Sequence, residues 1–120
     1  MVPFRVKKVE KTWGHELWLA NNETENYCAK ILFIKKNKST SMHYHVKKHE
    51  TMHVLKGTLM VEGLGDRHNF GHKFAMMAKE GESLEIERGR AHKLVAHHED
   101  LTIIEASTFH RDKDSYRLHK

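Results

Sequence analysis

Short apolar stretches alternate with polar, turn-forming residues along most of the chain, and this pattern predicts an all-β protein. The expected strands are 15–20, 27–35 and 41–46, two within 50–63, two within 73–89, and a hairpin within 91–108. No segment repeats its apolar residues convincingly with the 3.6-residue period of a helix. Many short strands at regular spacing favour a closed sandwich or barrel.

The expected turns fall where glycine or clustered polar residues interrupt the apolar pattern. They are placed at 37–40, Lys56-Gly57, Glu80-Gly81 and 98–100, with a loop at 63–72. Gly57, Gly81 and Gly89 are expected to need positive φ. The tail that begins at Phe109 is too polar to form core.

Three groups of apolar residues have a predicted place. Trp13 and Trp18 are expected in the core or at a dimer interface, and Met76-Met77 on the lining of the barrel or its neighbouring sheet. Cys28 is expected to be a small buried or half-buried residue. As the single cysteine it excludes an intrachain disulfide and fits a reducing cytosol, so a cytoplasmic location is expected.

Length and composition indicate one soluble domain over residues 1–120. Apolar residues make up 38% and charged residues 31%, which is typical of a globular protein on the polar side. No apolar run approaches the roughly 18 residues of a membrane span, and the N-terminus has no secretory apolar region. No membrane partner is expected.

The net charge of +5 permits an anionic partner, either nucleic acid or a phosphorylated metabolite. The basic residues are scattered and are not interleaved with aromatics. A solvated face explains most of them, and no nucleic-acid partner is expected.

Histidines concentrate between Ser41 and Gly57, where four of the twelve in the chain occur. His43 and His45 share one face of a strand because residues two apart point the same way. Glu50 opens the next strand and joins them if the two strands pair. His49 falls in the turn, and His53 has the opposite parity to Glu50.

A fourth ligand is available at His92, directly after a tight turn and at the start of another strand. Three imidazoles and one carboxylate suit Mn²⁺, Fe²⁺, Co²⁺, Ni²⁺ or Zn²⁺ and can leave positions open for water or substrate. The sequence therefore predicts a divalent transition metal on this set. A histidine-rich surface is the alternative.

The same residues resemble the two motifs of the cupin superfamily. The segment His43-x-His45-x4-Glu50-x6-Gly57 matches the first motif except for its leading glycine, where Lys38 stands. The segment Gly81-x5-Glu87-x-Gly89-x2-His92 is similar to the second, with Glu87 in place of a proline and Ala96 where asparagine is common. The resemblance implies a single-domain double-stranded β-helix, the cupin jelly-roll barrel, with the metal on His43, His45, Glu50 and His92.

Nearly the whole chain also looks like the cupin domain of type II mannose-6-phosphate isomerases. That domain has a similar Lys-x-Trp-Gly-x-Glu segment, here Lys11 to Glu16, and a similar Lys-Ile-Leu strand, here from Lys30. Its final strand and acidic-Arg tail are similar to residues 104–118. The family often has glutamine at the position of His43. This resemblance implies a metal-dependent isomerase or epimerase whose substrate is a sugar phosphate.

Such an isomerase needs a Lewis acid at the carbonyl and a base that moves a proton between adjacent carbons. Glu105 is the first candidate base, since it is a charged residue inside the apolar run "LTIIEAS". Lys30 poses the same question and could pair with Glu105 or hold a phosphate. An edge strand with solvated side chains would explain both equally well. Arg117 could reach a phosphate, whereas Tyr44 and His53 have outward parity.

Two other functions stay open at this point. Three histidines and a glutamate would also serve an Fe²⁺ dioxygenase, and the cavity could hold a sugar or metal without catalysis. A homodimer is expected because small barrels commonly cover exposed sheet edges by pairing.

Overall fold

The computed structural model describes the backbone of residues 1–66 and 69–118, and the side chains of 1–65 and 71–118. Its strands are β1 (Lys7–Lys11), β2 (Gly14–Asn22), β3 (Tyr27–Ile34), β4 (Lys38–Ser39), β5 (His43–His45), β6 (Glu50–Lys56), β7 (Leu59–Asp66), β8 (Asn69–Ala78), β9 (Ser83–Ile86), β10 (His92–Ala96), β11 (Leu101–Ser107) and β12 (Ser115–Arg117). A 3₁₀ turn at Asp112–Asp114 precedes β12. Within these residues no helix is long and apolar enough to span a membrane.

The strands form two antiparallel sheets that enclose a core. The first has the order β1-β2-β3-β11-β6-β9, and the second the order β12-β5-β10-β7-β8 with β4 beside β10. Two packed antiparallel sheets that contain all of these strands confirm the prediction of an all-β barrel. The core between them is apolar and includes Leu32, Ile34, Met52, Val54, Leu59, Val61, Leu94, Leu101 and Ile103.

One end of the barrel interior is apolar and the other is charged. Along three neighbouring strands the inward side chains change from one kind to the other. They are Ile34, Leu32 and Lys30 on β3, Leu101, Ile103 and Glu105 on β11, and Val54, Met52 and Glu50 on β6, all buried. Because alternate residues share a face, each strand ends its inward row with an ionisable group at the same end of the barrel.

Three parts of the strand prediction were wrong, and one of them is the turn expected at 37–40, which contains β4. Lys7–Lys11 is a strand that the sequence pattern missed, because charged residues dominate it. Residues 63–66 and 69–72, expected in a loop, continue β7 and β8, while 67 and 68 lie outside the described residues. Gly63 lies within β7, and this position requires glycine because a Cβ there would come within 2.3 Å of the Phe74 ring.

Several smaller predictions can also be checked. Gly57, Gly81 and Gly89 have φ of +91°, +84° and +81°, as expected. Trp13 and Cys28 are buried, as expected. Met76 and Met77 were wrongly placed on the barrel lining. Both are 54% exposed because β8 is the last strand of its sheet.

The sequence suggested that the C-terminal tail is only a polar surface segment. The structure shows that part of it is buried. β12 pairs with β5, and Asp114 is 6% exposed. A carboxylate can be buried there because backbone N–H groups of residues 46–48 donate to it. The tail thereby closes the charged end of the barrel.

Candidate metal centre

The four predicted ligands come together at the charged end of the barrel. His43 and His45 lie on β5, Glu50 begins β6, and His92 begins β10 directly opposite His43. All four line one cavity. The shared face of His43 and His45 follows from strand alternation, as predicted. The expected pairing of β5 with β6 was wrong, because the two strands lie in different sheets and Glu50 reaches the histidines across the barrel interior.

Two of the imidazoles lie beside the Glu50 carboxylate, and the third lies against both of them. His45 Nε2 lies 3.4 Å and His92 Nε2 lies 3.8 Å from Glu50 Oε1. The His43 ring centroid is 4.7 Å from that of His92 and 5.0 Å from that of His45. These side chains are therefore close enough to share a ligand.

Backbone carbonyls fix the tautomer of each imidazole. The Nδ1 atoms of His43, His45 and His92 lie 2.8, 3.0 and 2.8 Å from the carbonyl oxygens of Ser41, Asp114 and Arg90. Because a carbonyl only accepts, each Nδ1 carries the hydrogen and each Nε2 keeps its lone pair. Metal-binding histidines are commonly oriented in this way.

Burial keeps the histidines neutral. It lowers the pKa of His43 and His45 to about 3 and that of His92 to about 4, with the neighbouring imidazoles adding to the effect. Burial, followed by the charge of Glu105, raises the pKa of the Glu50 carboxyl to about 8. Three neutral imidazoles are in the form that binds metal. Lys48 and Lys30 favour the ionised form of Glu50, but burial and Glu105 outweigh them.

Two observations show that these residues suit a divalent metal: their donor atoms are of the right kind, and one buried donor atom has no hydrogen-bond partner. His92 Nε2 is buried and has no hydrogen-bond partner. As the side chains are placed, no group of three or more His, Cys, Asp or Glu in the described residues could hold a metal ion. Ligands bonded to one metal at about 2.1 Å lie roughly 3–3.4 Å apart, so the 3.4 Å contact already fits and the 3.8 Å contact requires a small side-chain movement.

Beyond the ligands the cavity has a volume of about 1030 Å³ and carries further buried charges. Lys30 and Glu105 are 2% and 4% exposed, which excludes the alternative of a solvated edge strand. Glu105 pairs with Lys48 at 2.6 Å rather than with Lys30, although Lys30 is its cross-strand neighbour. Lys30 instead faces Glu16 at 3.7 Å.

Lys48 is a cavity residue that the sequence did not reveal, because a lysine in a turn is usually solvated. Its ammonium contacts Glu105 and also donates to His110 Nδ1 at 3.0 Å. Burial alone would lower the Lys48 pKa, but Glu105 and Glu50 outweigh it and raise that pKa. Burial alone would raise the pKa of Glu105, but Lys48 and Lys30 hold it at about 2. Glu105 is therefore a weak proton acceptor at neutral pH.

Tyr44 and His53, which strand alternation predicted to point outward, lie outside the cavity, as expected. His53 Nδ1 contacts Ser83 Oγ at 2.7 Å, and Tyr44 stacks on Tyr116 with ring centroids 5.2 Å apart. Arg117 lines the cavity, and its backbone pairs with that of His43.

Comparison with known proteins identifies the fold. No family model matches the sequence, and no curated protein matches it. Among solved structures, the capsular polysaccharide assembling protein CapF from Staphylococcus aureus is similar with a TM-score of 0.84 and 14% identity over 98% of this chain. Oxalate decarboxylase from Bacillus subtilis gives a TM-score of 0.80 and 16% identity over 94% of this chain.

KdgF from Halomonas sp. gives a TM-score of 0.66 and 17% identity, with 82% of this chain and 81% of that chain covered. This chain spans 34% of the CapF chain and 30% of the oxalate decarboxylase chain. The protein is thus an all-β molecule with the cupin jelly-roll fold. At these identities the likeness establishes the fold, and the function has to be argued from the site.

Proposed function

We propose that this chain is a metal-binding cupin that holds one divalent transition metal on His43, His45, Glu50 and His92. The observation that carries the proposal is the common orientation of the imidazoles. Each Nδ1–H is held by a backbone carbonyl, and the buried Nε2 of His92 lacks a partner. Mn²⁺, Fe²⁺, Co²⁺, Ni²⁺ and Zn²⁺ all suit such a donor set.

We further propose that the cavity catalyses isomerisation or epimerisation of a sugar phosphate. A bound metal would supply a Lewis acid for the substrate carbonyl. The volume of about 1030 Å³ suits a ligand of that size, and its polar lining suits a hydroxylated one. A cytoplasmic location and a homodimer remain predictions that accompany this proposal.

The chain's own residues have separable roles in the proposed reaction. Glu105 and His110 occupy two of the three N–H groups of Lys48, so the third can donate to a substrate oxygen that gains negative charge. Glu105, expected to be the base, is better placed to hold Lys48 in position. Lys30, the second predicted catalytic residue, is better suited to an anionic group.

The proposal is tested by metal loading followed by a panel of aldose and ketose phosphates. Bound Mn²⁺, Co²⁺ or Zn²⁺ with turnover of one of these substrates supports it. Bound iron with oxygen consumption would point instead to dioxygenase chemistry, which the same donor set could serve. Bound metal without turnover of any substrate would leave a binding module. Failure of the loaded protein to retain metal would contradict all three.

A further inference from the structure

One row of inward residues crosses the first sheet beside the metal cavity. Lys7 on β1 is the register partner of Trp18 on β2, and Trp18 is the partner of Lys30 on β3. Lys30 is in turn the partner of Glu105 on β11. Strand pairing therefore places two lysines on either side of one tryptophan, and all three residues line the cavity.

The ammonium groups of Lys30 and Lys7 both lie over the indole ring of Trp18. Lys30 Nζ lies 4.1 Å and Lys7 Nζ lies 4.6 Å from the ring centroid, within cation–π range. The indole is itself held in place, because its Nε1–H donates to Glu16 Oε1 at 2.8 Å. The ring of His110 meets it edge-on at 5.3 Å.

The Lys30 ammonium is buried but poorly satisfied. Its contact with Glu16, at 3.7 Å, is longer than a hydrogen bond. Glu16 already accepts from the Trp18 indole. Glu105, the nearest carboxylate in the row, is paired with Lys48. A buried lysine whose donors are so little used is suited to an incoming acceptor.

The charge balance of the cavity indicates the sign of the ligand. Its largely buried ionisable groups, leaving the imidazoles aside, are Lys30, Lys48, Glu16, Glu50 and Glu105. With a divalent cation on Glu50 all five are ionised, so two ammonium groups and the cation face three carboxylates, which leaves one positive charge. The exposed charged residues of the lining add one more positive charge in sum; they are Lys7, Lys11, Arg117, Glu10 and Asp112. The metal-loaded cavity therefore favours an anion.

We propose that Lys30 and Lys7, held on Trp18, form an anion subsite beside the metal centre that takes the phosphoryl group of the substrate. This inference rests on the proposed function, because the metal supplies the positive balance. The subsite lies on the first sheet. Arg117, the other cation considered for a phosphate, lies on the second sheet beside His43.

The experiment measures binding of inorganic phosphate to the Co²⁺-loaded protein by titration calorimetry, with the Co²⁺ d–d spectrum recorded in parallel. Lys30→Met is expected to weaken phosphate binding about tenfold or more, since it removes a charged donor. Lys7→Met, at an exposed position that tolerates change, is expected to weaken it several-fold. The metal-free protein is expected to bind phosphate much more weakly than the loaded one.

Lys8→Met is the matched control. Lys8 neighbours Lys7 on β1 but is ion-paired with the exposed Glu10 at 3.3 Å, and it does not line the cavity. This variant should bind phosphate as the wild type does. All variants should retain Co²⁺ with unchanged stoichiometry, because none of the substituted residues is a proposed ligand.

If the protein retains Co²⁺, three results would overturn the proposed anion subsite and leave the proposed metal site intact. Lys7→Met and a folded Lys30→Met could bind phosphate like the wild type, the d–d spectrum could show phosphate bound to the metal itself, or Arg117→Met could be the variant that loses binding. A wild-type protein that retains no Co²⁺ would overturn the proposed function together with this inference.

Discussion

Asp114, near the end of the chain, holds His45, one of the proposed metal ligands, in place. Its backbone carbonyl accepts from His45 Nδ1–H at 3.0 Å. Its carboxylate accepts from the N–H groups of Val46, Lys47 and Lys48 at 3.0–3.1 Å. One buried aspartate thus shapes the loop that carries both a proposed metal ligand and the cavity lysine.

Asp114→Asn is expected to weaken metal binding by roughly 10–100-fold, because a weaker hold on the N–H groups of residues 46–48 displaces the Asp114 carbonyl that orients His45. It should also reduce the free energy of unfolding by about 1–3 kcal/mol, since an amide cannot accept all of these N–H groups. Metal titration and thermal unfolding measure the two effects. Glu99→Gln is the control because Glu99 is exposed and does not line the cavity. Wild-type metal affinity in Asp114→Asn would contradict this role.

His45→Ala is expected to abolish metal binding while the domain still folds. The imidazole is 4% exposed, so its loss leaves a cavity but removes no apolar core residue. Metal should raise the unfolding temperature of the wild type, since it binds only the folded state, and leave that of the variant unchanged. His97→Ala, at an exposed position, should behave like the wild type. Retention of metal by His45→Ala would show that the ligand set is wrong.

The metal-free protein is expected to be most stable near pH 6.5. The three buried histidines have pKa values of about 3 to 4 in the folded state against 6.5 in the unfolded state, so they raise stability as pH increases up to 6.5. Glu50 has a folded pKa of about 8 against 4.5, so it lowers stability from pH 4.5 to 8. Above pH 6.5 only the second effect remains.

Thermal unfolding between pH 5 and 8 in the presence of a chelator measures this profile. Glu50→Gln, which cannot ionise, should remove the decline between pH 6.5 and 8. Metal should remove it in the wild type, because a cation favours the ionised carboxylate. A stability of the chelated wild type that rises steadily to pH 8 would contradict the raised pKa of the buried Glu50 carboxyl.

Glu105→Gln is expected to lower the free energy of unfolding by about 3–5 kcal/mol, because it leaves the Lys48 ammonium buried without its carboxylate. The double variant Glu105→Leu, Lys48→Met should be more stable than Glu105→Gln, since it removes both charges. Chemical denaturation of the two variants gives the comparison. Equal stability of Glu105→Gln and wild type would mean that the pair at 2.6 Å is not maintained in solution.

A homodimer remains a prediction. Phe33 and Leu55, on the outer face of the first sheet, are 40% and 47% exposed, and a partner subunit would cover such apolar residues. Light scattering should report about twice the chain mass of 14.1 kDa. A mass of one chain at micromolar concentration would contradict the prediction.

The sequence predicted the parts of the site that depend on local periodicity. Strand alternation was enough to place His43 and His45 on one face. The interrupted apolar runs marked Lys30 and Glu105 as candidates but left a solvated edge strand equally open, and the structure shows both buried. Lys48 and His110 could not be found in this way. The loop that carries Lys48 is bound by Asp114, 66 residues away in sequence, and the Lys48 ammonium pairs with Glu105. Contacts of that range leave no periodic signal in the chain.

The most direct test of the account is the metal content of the purified wild-type protein after loading with Mn²⁺, Co²⁺ or Zn²⁺ and removal of excess ion. Elemental analysis should find one metal ion per chain in the wild type and none in a folded His92→Ala variant. A wild-type protein that retains no transition metal under any of these conditions would contradict the central claim.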